Sequence, residues 1–219
     1  MREAFYDQLD RTLGDLVSIT RRVESAVSVA TRALMEADLA AAESVISGDA
    51  AIDLARERVE DSCFALLSLQ QPVATDLRTV VAALRMVSEL ERMGDLAVHV
   101  AKIARMRVPD LAVPADVRPT VEQMAAVALQ MVHRVVDIIE RRDVEAALDL
   151  AAADEEMDGL RRQSFRDVLD EGWAHGVEAA VDIALLGRYY ERIADHAVSV
   201  ANRVVFVVTG EYPTADAPA

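Results

Sequence analysis

Two short acidic phrases carry the residues of this chain best suited to chemistry. The first, LERMGDLAVHVA, runs from Leu90 to Ala101, and the second, YERIADHAVSVA, from Tyr190 to Ala201, an offset of 100. Glu91 and Asp95 recur as Glu191 and Asp195. A spacing of four puts both carboxylates of a pair on one helix face, one turn apart. Asp49/Asp53 and Asp154/Asp158 have the same spacing and are related by an offset of 105. Carboxylate oxygens in this pattern suit hard divalent cations, and also iron, manganese or zinc. They suit equally well a solvated helix face or ion pairs across a bundle. Four such groups meeting across a groove repel one another. They must be spread in solvent, matched by Arg or Lys, protonated, or bridged by a metal. Gly94 with Ala97, and Ala194 with Ala197, leave space beside the pairs. His99 extends the Glu91/Asp95 stripe by a turn, whereas Ser199 takes that place in the second copy and His196 lies off its stripe.

Apolar residues recurring at threes and fours define the elements that position these groups. In the first helix they are Leu9, Leu13, Leu16, Ile19, Val23 and Val27. The pattern predicts helices over 6–35, 39–69, 72–105, 117–140, 144–169 and 177–208. Asp38 is placed to cap the second, Arg142-Asp143 repeats the Ala37-Asp38 turn, and Pro72 fits the first turn of the third. Helices of about 30 residues span about 45 Å and, joined by tight turns, pack antiparallel. The expected fold is all-α: six long helices forming two pseudo-repeated antiparallel three-helix bundles. Residues 1–108 form the first repeat, 109–119 a linker with Pro109, Pro114 and Pro119, 120–210 the second repeat, and 211–219 a flexible tail.

Composition narrows the function classes. Of 219 residues 53% are hydrophobic and only 4% aromatic, so the core is built from Ala, Val and Leu. A formal net charge of −15 repels nucleic-acid phosphates and anionic lipid, and suits cations or a basic patch on a protein partner. Cys63 is the sole cysteine, which forbids an internal disulfide and reads as a buried, inert thiol. No leader and no spanning segment is visible, so a cytoplasmic protein is expected, meeting a membrane only through partners. The nucleotide-binding, zinc-protease and nucleophile-elbow patterns are absent, and no histidine follows a glutamate by three as di-iron bundles require. These absences point away from an enzyme. Tyr189 and Tyr190 read as wedges between helices, and Trp173, in LDEGWAHG, as an exposed anchor for a partner.

Two stretches, QPVATDLRTVVAALRMVSELERMGDLAVHVAK (71–102) and RYYERIADHAVSVANR (188–203), resemble the PhoU-type phosphate-signalling regulators. The likeness lies in a QP-x-A-x-DLR opening, an ER-x-GD-x-A close and their duplication, and it extends over about 6–210. It implies a negative regulator of the phosphate-starvation response. Such a regulator is an adaptor between the nucleotide-binding subunit of the high-affinity phosphate ABC transporter and a sensor histidine kinase of a two-component system. It also implies a homodimer at the inner face of the membrane. For some members it implies iron or zinc clusters, here at Glu91, Asp95, Glu191 and Asp195 with Asp49, Asp53, Asp154 and Asp158 facing them. Asp76 and Arg78 match the DLR segment, and with Trp173 are the candidate partner contacts. The second half departs from the pattern, with Gly176-Val177-Glu178 in place of Asp76-Leu77-Arg78, and Ala194 for the glycine kept at Gly94. The rival reading is a helical bundle that binds iron, zinc or manganese for storage or catalysis.

Overall fold

Two aspartates open the second helix of each half in the same way. Asp38 Oδ1 accepts the Ala41 N–H at 2.9 Å, and Asp143 Oδ1 accepts the Ala146 N–H at 3.0 Å. Each satisfies one of the amide donors that a helix start leaves unpaired. Immediately before them Ala37 (φ 53) and Arg142 (φ 52) are left-handed, which reverses the chain in two residues. In this computed structural model, which describes residues 2–213, the order is α1 (Arg2–Glu36), α2 (Leu39–Gln70), α3 (Ala74–Arg107), α4 (Arg118–Arg141), α5 (Val144–Leu169) and α6 (Gly176–Thr209). The fold is all-α, as expected, with six helices and no strand among the described residues. Several boundaries differ by a few residues: α1 begins at Arg2 and not 6, and α4 takes in Pro119, expected in the linker. Pro72 lies in the connection and not in the first turn of α3, because Val73 is extended (φ −128, ψ 161) and forms the N-cap.

Within the first half α1, α2 and α3 pack on one another, and α4, α5 and α6 do so in the second. Two contacts join the halves: α1 lies on α4, and α3 on α6. The buried side chains accordingly form one continuous cluster, from Leu16, Ile19 and Val23 on α1 to Ile193, Ala197 and Val200 on α6. Alanine and glycine at the crossings bring the helix axes close, which is what a core poor in aromatic residues demands. Both junctions run antiparallel. On α1 and α4, Arg21 pairs with Glu140 at 2.5 Å and Glu24 with His133 at 2.9 Å. On α3 and α6, Glu89 meets His196 at 2.6 Å, and further along Arg107 meets Asp182 at 2.6 Å.

Tyr190 takes the wedging role its position suggests. Its ring is wholly buried, and its hydroxyl lies 2.9 Å from Thr31 Oγ1, tying α6 to α1. Cys63 is also wholly buried, and burial pushes its thiol up to about 11, the behaviour of an inert core residue. The start of the expected tail is not loose. Tyr212 stacks on Phe206 at 4.3 Å and lies 4.9 Å below the Arg203 guanidinium, so residues 211–213 fold back onto α6. Residues 214–219 lie outside the described residues. No described helix is long and apolar enough to cross a membrane.

The Tyr190 wedge makes a graded prediction. Tyr190→Phe removes only the hydroxyl contact and should cost about 1 kcal/mol. Tyr190→Ala also empties a sealed volume and should cost about 3–5 kcal/mol. Urea unfolding of both variants checks the order.

Candidate functional site

The acidic stripes do meet, α2 against α3 and α5 against α6. In the first half Asp49 is raised above its ordinary value by burial and then by the charges of Asp95 and Asp53. Glu91 is raised by burial and then by Asp95. In the second half Asp154 is raised by burial and then by Asp195, Asp158 and Glu191, and Asp195 by burial and then by Glu191. Each groove therefore brings carboxylates from two helices within repulsive range, at matched positions. Gly94 is one reason they come so near. A methyl group on it would sit 3.1 Å from Ile52 Cδ1 and 3.9 Å from Asp49 Oδ1, so glycine lets α2 close on α3. A cleft of about 230 Å³ opens beside Asp49, Ile52 and Gly94 between α1, α2 and α3.

The two grooves are not electrically alike. Glu191 is buried, and both of its oxygens are taken: Oε1 accepts from Arg161 Nη1 at 2.9 Å and Oε2 from Arg188 Nη1 at 2.5 Å. Glu91, its equivalent, has no ion pair among the described residues. Two sequence differences account for this. Ser88 stands where the second half has Arg188, and Glu60 where it has Phe165. Glu60 draws the Arg56 guanidinium to itself at 2.9 Å, along α2. Phe165 offers no charge; Arg161 lies over its ring at 5.5 Å and reaches across to α6.

These facts bear on a metal. The first groove has clustered carboxylates, a half-buried glutamate without an ion pair and a cleft beside Asp49, and so fits a cation in charge and space. In the second groove a cation would have to displace two guanidinium groups from Glu191, which does not fit. Among the described residues no three acidic, histidine or cysteine side chains already converge on one metal-sized point in either half. The carboxylates are neighbours, not a closed cage.

The remaining candidates have structural partners. Arg78 donates to Thr75 Oγ1 at 3.1 Å and lies against Gly210, where a methyl group would come within 3.2 Å of Nη1. It thus covers the carbonyl end of α6, where positive charge is favoured. Asp76 occupies the first turn of α3, where negative charge is favoured. At the far end of the same seam the polarity reverses: Glu178, which replaces Arg78 in the repeat, pairs with Arg107. Trp173 is a correction. It is half-buried, not freely exposed; its Nε1–H donates to the Gly176 carbonyl at 2.8 Å, and its ring meets His175 edge-on at 4.9 Å. The α5–α6 turn uses it as a fastening. His99 stacks on Tyr189 at 5.2 Å, at the rim of a groove that Arg92, Arg188 and Arg192 also line.

Sequence reasoning missed the buried His196–Glu89 contact and the double arginine clamp on Glu191. The signal for half of the clamp was available: Arg188 precedes Glu191 by three residues, on one helix face.

The raised carboxylates carry a pH prediction. A folded-state value above the unfolded one means that the folded protein binds protons more readily, so these groups favour folding at low pH. That contribution fades as pH rises through the folded values. Asp49→Asn should therefore raise the melting temperature at pH 7. The gain should vanish below the ordinary value of 3.8, where Asp49 is protonated in both states. Thermal melts of the two proteins at pH 7 and pH 3.5 check it.

Comparison with known proteins extends over both halves. A family model described as the PhoU domain matches residues 16–104 and 121–204. A Mycobacterium tuberculosis protein named phosphate-specific transport system accessory protein PhoU homolog 2 is 45% identical over 213 residues, covering 97% of this chain and all of that one. Homolog 1 from Mycobacterium leprae is 44% identical over 216 residues, covering 99% and 97%. The crystal structure of PhoU from Pseudomonas aeruginosa superposes with a TM-score of 0.82 at 28% identity, covering 94% of this chain and 100% of that one. The regulatory protein PhoU from Streptococcus pneumoniae superposes with a TM-score of 0.86 at 24% identity, over 96% and 99%, and attests the fold.

Proposed function

The chain belongs to the PhoU domain family, and from that premise we propose that it is an accessory regulator of phosphate transport that represses the phosphate-starvation response. The observation that carries this reading is full-length agreement: 45% identity across 97% of the chain to an accessory protein of a phosphate-specific transport system. In finer detail the protein is an adaptor. It links the nucleotide-binding subunit of the phosphate ABC transporter to a sensor histidine kinase at the inner face of the membrane, acting as a homodimer. Phosphate sufficiency stabilises the assembly in which the kinase is held off. A strongly acidic body with two similar lobes supports docking of basic protein surfaces rather than nucleic acid or anionic lipid.

A second feature belongs to the same reading. The first groove holds a divalent cation, iron, zinc or manganese, through Glu91 and Asp95 of α3 and Asp49 and Asp53 of α2. The raised values of Asp49 and Glu91, and the lack of an ion pair at Glu91, support it. When bound, such an ion supplies charge neutralisation and joins α2 to α3, and these residues orient it; no catalytic role is assigned.

Affinity isolation of the tagged protein from its own cells, grown in high and in low phosphate, tests the adaptor. A transporter nucleotide-binding subunit or a histidine kinase should co-purify in amounts that change with phosphate. Deletion of the gene, with any sister copy removed, should leave starvation genes expressed in high phosphate. Recovery of neither partner, with unchanged regulation, contradicts the proposal.

A further inference from the structure

The internal duplication provides its own control, because the same helical site exists twice with different surroundings. Glu191 has a side chain only 9% exposed, and two guanidinium groups from two different helices occupy its two oxygens. Arginine keeps its charge at all physiological pH, and its planar donors match carboxylate geometry. Asp158, on the α5 stripe, lies 3.9 Å from Arg162. Asp154 and Asp195 remain, and two carboxylates without a third ligand are a poor cage for a divalent ion. In the first half the equivalent of Arg188 is Ser88, and Arg56, the equivalent of Arg161, is held by Glu60 on its own helix.

We propose that arginine is the resident cation of the second groove: Arg161 and Arg188 neutralise Glu191, and Arg161 latches α5 to α6, so the two halves respond differently to metal. The second half does not take up the divalent ion that the family resemblance implies for it. Any response to a divalent ion belongs to the first half, where no guanidinium pairs directly with Glu91 among the described residues. That last clause rests on the cation reading given under Proposed function; the latch itself does not. The duplicated chain thus has one fixed lobe and one lobe free to respond. The difference comes from two positions, Ser88 against Arg188 and Glu60 against Phe165.

The test uses the full chain and thermal melting, first in a chelator and then with manganese(II) or zinc(II) added. The starting variant, Asp49→Asn with Glu91→Gln, removes the first groove's acidity. It should show no ion-dependent shift, since only the arginine-latched groove is left. Adding Phe165→Glu and Arg188→Ser gives the second groove the first groove's surroundings. This protein should melt lower in chelator and gain roughly 5–10 °C at an ion concentration about a hundredfold above its dissociation constant. The converse exchange, Glu60→Phe with Ser88→Arg in the native chain, should raise the melting temperature in chelator, and it covers the case in which the four-fold variant does not fold. The latch is overturned if the starting variant keeps an ion-dependent shift that Asp195→Asn abolishes. It is also overturned if the four-fold variant folds yet gains none, or if the converse exchange brings no rise in chelator. A native protein with no ion response, beside a four-fold variant that has one, rejects the cation reading of the first groove and upholds the latch.

Discussion

The antiparallel packing of α3 against α6 is the constraint on which the rest of the structure depends. Each of these helices belongs to its own three-helix bundle and is also half of the seam between bundles. One face must therefore be narrow enough for a partner helix while another carries charge. Small residues meet the first need: Ala97, Ala101, Ala197 and Ala201 are all wholly buried. Charge is confined to the ends and rims of the seam. Arg78 lies over the carbonyl end of α6, and Arg107 pairs with Asp182 and Glu178 at its amino end. In between, the buried His196 meets the half-buried Glu89, a contact that lowers the Glu89 value and fixes the register. Because the seam is fixed, the two acidic grooves are held on either side of it.

Much of this was legible in the sequence, because the repeat is written in residues whose physics is local. The Asp38 and Asp143 caps need only a side chain three residues from an amide. The carboxylate stripes need only helical periodicity, and both turned out to face one another across the α2–α3 and α5–α6 pairs. What stayed hidden depends on a choice among partners. Arg56 and Arg161 are equivalent by offset, yet one stays on its own helix and the other crosses to α6. Nothing about either arginine alone decides this; a glutamate or a phenylalanine one turn away does. The exposure of Trp173 was misjudged for a similar reason, since its indole N–H reaches the Gly176 carbonyl, a choice of partner that depends on the shape of the turn. The start of the expected tail is held because Tyr212 has an aromatic platform, Phe206, on the helix just before it.

Electrostatics separates the two halves more than shape does. The same bundle is built twice, with the same acidic spacing, but in one copy the buried glutamate is paired with two arginines. Leaving Glu91 without a paired guanidinium costs stability, as its raised value records. A cost retained at one of two otherwise equivalent places fits a part of the molecule that adjusts to its surroundings. For the adaptor role proposed above, a fixed lobe would give a constant docking frame, and an adjustable lobe would give the assembly something to sense.

Hydrogen exchange of the native chain, followed by mass spectrometry in chelator and in saturating manganese(II) or zinc(II), tests this inequality most directly. The account predicts slower exchange with the ion in peptides of α2 and α3 around Asp49 and Glu91, and unchanged exchange in α5 and α6 around Asp154 and Glu191. Equal protection of both halves, or protection confined to α5 and α6, would contradict it.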